Sequence, residues 1–384
     1  MVRRFLSRGM GEASCQTLNE MGVFMNKWRE DGKVERLSYV DVAKALGIIA
    51  VMFAHGCGFP GNMGYFFTAS FMQMFFFLSG YTYKSGRIAT ENIKHRFKAI
   101  GIPYFIYNAI LLVLSFAAYK VLHKEVSGNF WLIAVSGIFY SSSHLYYPDS
   151  VVPNISFFNI QNAALWYLTC FLVASTIFYL IIDKITNKKR YLLSIAMLTF
   201  ITIGLKDIPI RLPWSMDTAF AGTVFMLLGY SVRKTELLKK LEKWYWVGGI
   251  LICYLLCCSI NPGIGMSLRK YGPYGTWSVL MFVVIGYLGS LLYIFGAKLL
   301  CRLPGITLVL SYIGKKTLVL LGFHNFIFLV WDKFAERLGL FQNAYGLYGI
   351  AQVAVTLAVC LCLLCPLSHK YNPNSHKKNL DISR

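Results

Sequence analysis

Long apolar runs that hold almost no charge set the first constraint on this chain. They recur near 39–59, 64–83, 101–119, 163–183, 191–206, 214–232, 245–260, 275–297, 307–331 and 343–366. Runs of this length match the roughly 20 residues that a helix needs to cross the hydrocarbon core of a bilayer. They are too long for the strands of a membrane barrel. Only helices and closed barrels satisfy the backbone in lipid, so helices remain. Composition agrees. Of 384 residues 56% are hydrophobic and 14% are charged, whereas a soluble domain carries about 25% charged residues. The expected fold class is an all-α integral membrane protein with about ten transmembrane helices.

One apolar segment, 131–140 (WLIAVSGIFY), is half the expected length. The positive-inside rule assigns it. If it does not cross, 30 of the 38 Lys and Arg residues fall on one side, in the N-terminal tail with Lys44, the loops 84–98, 184–190, 233–243 and 298–316, and the C-terminal tail. The other side keeps 8. If it crosses, the bias weakens. The expectation is therefore one long outer loop over 120–162, containing an interfacial or re-entrant piece, with both termini cytoplasmic. Residues 1–35 are polar, lack the apolar core of a signal peptide, and read as a disordered cytoplasmic tail. Residues 36–368 read as the transmembrane domain and 369–384 as a second cytoplasmic tail. Met21 and Met25 are alternative starts.

The net charge is +21. It is spread in short clusters between the apolar runs, which suits contact with anionic lipid and argues against nucleic acid as a partner. The ten cysteines sit mostly inside apolar runs and lack metal-ligand spacing, so neither a metal site nor a disulfide framework is expected. No Walker or GxGxxG motif is present, which leaves an ATP or dinucleotide site unsupported.

Ionisable residues within a span are costly and are functional candidates for that reason. The first span holds three: Asp41, Lys44 and His55. Lys44 and His55 are eleven residues apart, three turns plus about 20°, so they share one helix face about 16 Å apart. Asp41 and Lys44 are spaced to pair. From spacing alone His55 is either a general base on a hydroxyl or a helix-packing histidine. Lys44 is either part of a site or snorkels to the inner interface. His324, in the ninth span, is a second imidazole at lipid depth, with an interhelical hydrogen bond as the plainer reading. Asp217 opens the sixth span and is well placed to cap it. The loop 84–98, with Arg96 and Lys98, suits donor phosphates or anionic lipid equally.

Residues 41–47 (DVAKALG) followed by His55 resemble the opening motif of the acyltransferase-three superfamily of membrane acyltransferases, where a basic residue precedes the key histidine by the same interval. Five further segments agree in order: 74–81 (MFFFLSGY), 96–104 (RFKAIGIPY), 165–168 (LWYL), 212–217 (LPWSMD) with 225–230 (FMLLGY), and 312–318 (YIGKKTL) with His324. The resemblance covers about 36–330 and is nearest to the fucose 4-O-acetylase-like branch, in a stand-alone form without a fused esterase-like domain.

The resemblance implies O-acyl transfer from cytoplasmic acyl-CoA, usually acetyl-CoA, to a sugar hydroxyl of an envelope glycan or lipid-linked saccharide. The protein would then lie in the plasma membrane (the bacterial inner membrane), need no bound cofactor, and use acetyl-CoA as co-substrate. His55 would activate the hydroxyl, Lys44 with Arg96 and Lys98 would hold donor phosphates, and Asp41 would orient Lys44. Trp166 and Tyr104 would line the cavity, and Asp217 and His324 would belong to the substrate site. Direct transfer is preferred over an acyl-enzyme, because no Ser or Cys stands beside His55 with triad spacing. The competing class is a polysaccharide or small-solute transporter.

Overall fold

The computed structural model describes residues 37–56, 63–121, 130–141, 164–208, 211–340 and 345–364. The expected tails at 1–35 and 369–384, and 122–129 and 142–163 of the expected outer loop, lie outside the described residues. Among the described residues the regular structure is helical, apart from one isolated bridge between Gly265 and Lys270.

In chain order the helices are α1 (Ser38–His55), α2 (Met63–Thr68), α3 (Phe71–Tyr81), α4 (Ala89–Arg96), α5 (Ile102–Val121), α6 (Phe130–Tyr140), α7 (Trp166–Ile182) and α8 (Lys188–Leu205). They continue with α9 (Met216–Lys234), α10 (Leu237–Lys240), α11 (Trp244–Ile260), α12 (Thr276–Leu300), α13 (Pro304–Lys315), α14 (Thr317–Leu338) and α15 (Tyr345–Val359). Each expected span coincides with one helix or with a broken pair. By length and composition, four helical stretches suffice to cross a membrane: Ser38–His55, Ala89–Ala118, Thr276–Leu300 and Thr317–Leu338. The second of these joins α4 to α5 through a π turn over Phe97–Gly101. Trp166–Ile182, Trp244–Ile260 and Gly346–Cys362 are apolar but shorter.

Two differences from the sequence reading have clear causes. The second expected span is broken after Thr68, and tyrosines of other helices take up the freed backbone groups. Tyr254 donates to the Phe66 carbonyl at 2.6 Å and Tyr293 to that of Phe67 at 2.8 Å. Broken helices are tolerated at membrane depth when neighbouring side chains satisfy the backbone in this way. The ninth expected span is likewise two helices, α13 and α14, which meet at Lys316.

The segment at 130–140 forms an 11-residue helix, about 16 Å long and half of what spanning requires. Polar contacts hold it. Tyr104 donates to the Ile138 carbonyl, Tyr140 to the Arg211 carbonyl, and the Trp214 indole to the Phe139 carbonyl.

Small residues set the closest approaches. A Cβ on Gly80 would lie 1.8 Å from the Met226 carbonyl oxygen, and one on Gly229 would lie 2.0 Å from that of Phe77. The backbones of α3 and α9 therefore touch, as membrane helices do where packing rather than hydrophobic expulsion drives association. Gly314 brings α13 equally close to Asp41 on α1. The outer surface keeps large apolar side chains such as Leu193, Phe200, Ile252 and Leu256 exposed, as a lipid-facing surface does. Trp244 and Trp246 stand exposed next to Lys239, Lys240 and Lys243, the pairing of aromatic and basic residues found at membrane interfaces.

Candidate functional site

The polar face of α1 opens onto a cavity of about 640 Å³, within the range of small-molecule sites. Lys44, Ile48, Val51 and His55 all line it; their spacing of four, three and four residues is that of a single helix face. The cavity therefore follows α1 for about 16 Å. Tyr39 and Tyr81 hydroxyls bond at 2.8 Å, which ties the start of α1 to the end of α3. Ser79 and Thr82 on that end of α3, Thr317 at the start of α14, and Arg96 line the cavity together with Lys44. The Lys44 end thus combines two cations with hydroxyl donors. The opposite end holds His55, Trp166 and the loop residues Gly265 and Met266.

Each cation has an anchor. Lys44 pairs with Asp41 at 3.7 Å, and Asp41 is buried behind it. The Arg96 guanidinium donates to the Tyr179 hydroxyl at 2.6 Å and to Ser79 Oγ at 3.2 Å, and lies over the Phe171 ring. An arginine held this way loses little freedom when it takes up an oxyanion, because its fork is already oriented.

At the other end the two expected histidines meet. His324 Nε2 lies 3.1 Å from His55 Nδ1. His324 is fully buried, and its Nδ1 sits 3.0 Å from the carbonyl oxygens of both Leu320 and Leu321. Carbonyl oxygens only accept, so Nδ1 of His324 carries its proton. In the neutral ring Nε2 is then an acceptor, and the hydrogen between the rings belongs to His55 Nδ1. That leaves Nε2 of His55 as an unprotonated lone pair. The arrangement is that of a general base whose tautomer is fixed by a second residue. The pairing joins positions 269 residues apart and carries no sequence signal.

The other expected site residues lie off the cavity. Lys98 is exposed on the π turn and does not line the cavity, whereas Arg96 does. Two residues along a helix carry a side chain about half a turn round, to the opposite side. Tyr104 is buried and spends its hydroxyl on Ile138, holding α6 rather than lining the cavity.

Asp217, in the first turn of α9, is buried and forms ion pairs with Arg269 at 3.2 Å and Arg211 at 3.7 Å. The N-cap position itself is Ser215, so the capping role expected for Asp217 gives way to one of pairing two arginines. Through Arg269, which also donates to the carbonyls of Leu205 and Ile208, Asp217 holds the loop that presents Gly265 and Met266. Neutral residues were the main omission of the sequence reading. Ser79, Thr82, Tyr179 and Thr317 carry no charge to mark them in a hydropathy pattern. Among the described residues, no group of three His, Cys, Asp or Glu side chains is arranged to hold a metal ion.

An acyltransferase domain model, that of the acyltransferase-3 family, matches residues 37–365. The chain belongs to the acyltransferase-3 family. The match starts one residue before α1 and runs past the last described helix, so the whole cavity lies inside the acyltransferase domain. No curated protein matches the chain. The apolar helices and the family together make this a membrane acyltransferase.

Proposed function

We propose that this acyltransferase moves an acetyl group from cytoplasmic acetyl-CoA to a sugar hydroxyl of an envelope glycan or lipid-linked saccharide. In this reading the chain crosses the plasma membrane ten times with both termini in the cytoplasm, and the Lys44 end of the cavity faces inward. The observation that carries the reading is a single cavity that reaches both an anchored cation pair and, about 16 Å along α1, a histidine whose Nδ1 meets a second, buried histidine. Lys44 and Arg96 hold the donor phosphates, and the pantetheine arm runs along α1. His55 Nε2 takes the proton of the acceptor hydroxyl as its oxygen attacks the thioester carbonyl. The C–S bond breaks, and the CoA thiolate recovers the proton from the His55 imidazolium to leave as the thiol. The sugar ester and CoA are the products. Transfer is direct, and Trp166 closes the wall beside the reacting groups.

Mass spectrometry of envelope glycans from cells with and without the gene tests this. The expected result is a glycan heavier by one acetyl group only when the gene is present. Identical glycan masses would overturn the proposal.

A further inference from the structure

Between its two ends the cavity is walled by apolar side chains, Ile48, Val51, Phe75 and Leu321 among them, and Gln73 of α3 breaks that pattern. Gln73 is 1% exposed. The helix break after Thr68 accounts for one of its hydrogen bonds: its Nε2 donates to the Ala69 carbonyl, which lies in the break, at 3.0 Å. A carbonyl only accepts, so the bonded group is the amide nitrogen and the amide oxygen is turned elsewhere. That oxygen receives no hydrogen bond from any described residue, and the second amide hydrogen is given to none. Buried polar groups are almost always paired, and these two sit on the wall of a cavity.

Their depth follows from two contacts. The Tyr39–Tyr81 bond joins the start of α1 to the end of α3. A Cβ on Gly47 would lie 2.2 Å from Met74 Cε and 3.0 Å from the Phe75 ring, so α3 runs antiparallel to α1 with Gln73 beside Gly47. The bond to Ala69 carries the Gln73 amide one turn back along α3, toward the His55 end and to the level of Val51. Val51 is seven residues past Lys44 and four short of His55, about 10 Å and about 6 Å along the helix.

Those distances match the donor arm. Pantetheine runs from the phosphates through two amides, and two methylenes separate the second amide from the sulfur. With the phosphates at Lys44 and the thioester at His55, that second amide passes the level of Val51. A carboxamide with an unused oxygen and an unused N–H complements a secondary amide, because it accepts from the N–H and donates to the C=O. We propose that Gln73 binds the pantetheine amide nearest the sulfur and so fixes how far the thioester reaches along α1. The apolar wall on either side covers the methylenes. This rests on the donor phosphates lying at the Lys44 end and the thioester at His55.

The test measures binding of two probes to purified full-length protein by isothermal titration calorimetry. CoA carries the whole arm. Adenosine 3′,5′-bisphosphate carries adenosine and phosphates but no pantetheine. The variants are Gln73→Leu and Gln73→Met, the second close to glutamine in length. Both are expected to weaken CoA about tenfold, the size of one or two lost hydrogen bonds, and to change the affinity for the bisphosphate by less than about twofold.

Unaltered CoA affinity in both variants overturns the subsite. An equal loss for both probes overturns it as well, because Gln73 would then support the fold or the phosphate end. Lys44→Ala run alongside separates the two claims, and is expected to weaken both probes by the same factor. If it weakens neither, or if the bisphosphate does not bind the unaltered protein, the placement of the phosphates fails. If it weakens both while the Gln73 variants bind CoA normally, the amide subsite alone fails.

Discussion

Replacing His55 by alanine lowers the rate of acyl transfer about 10²- to 10⁴-fold, the contribution typical of a positioned general base. Binding of CoA is expected to stay within about twofold, because the proposed function has the donor phosphates held at the Lys44 end, about 16 Å away along α1. His55 is the last residue of α1 and opens onto the cavity, so the truncation leaves the packed stretch from Val40 to Met52 in place. Initial rates with radiolabelled acetyl-CoA, together with the stabilisation of the purified variant by CoA, measure both quantities. A variant that transfers at the wild-type rate contradicts the assignment. A variant that no longer binds CoA shows that His55 belongs to the donor site instead.

The second large effect is at His324. His324→Leu removes the acceptor of the His55 Nδ1–H bond and frees the imidazole to swap tautomers or turn away from the cavity. A loss of roughly 10²-fold in rate follows, the lower end of the general-base contribution. His324→Gln is the informative partner. Its side-chain oxygen can accept from His55 Nδ1 while the rest of the side chain fills much of the ring's space. It recovers at least tenfold over the leucine variant. If His324 served only to fill the core, the leucine variant would be the more active of the two, because leucine adds no polar group to the buried position. The ratio of the two rates therefore separates a positioning role from packing.

Much of the fold was legible in the hydropathy pattern, because lipid forces long apolar helices and leaves little else to read. Breaks inside those helices were not legible. Hydropathy runs evenly through 64–83, while the interruption after Thr68 depends on tyrosine hydroxyls at 254 and 293 that arrive from other helices.

The site divides in the same way. Lys44 and His55 share a face because helical spacing alone dictates it, and the cavity follows that face. Arg96 is distinguished from Lys98 only by which side of the π turn meets Tyr179, a tertiary fact. Asp217 suited both a cap and a substrate ligand from sequence; the arginines at 211 and 269 that claim it come from two separate loops. His324 stood out as an imidazole at lipid depth, but its contact with His55 is set by the packing of α14 on α1, for which the sequence holds no local signal.

In the proposed function one cavity carries an acyl group from a donor on the inner side to an acceptor on the outer side. Inside-out membrane vesicles loaded with envelope glycan and given acetyl-radiolabelled CoA from outside measure this directly. Label on the enclosed glycan is expected, dependent on the protein and absent with His55→Ala. Label that never reaches the enclosed glycan, or reaches it equally with His55→Ala, would contradict it.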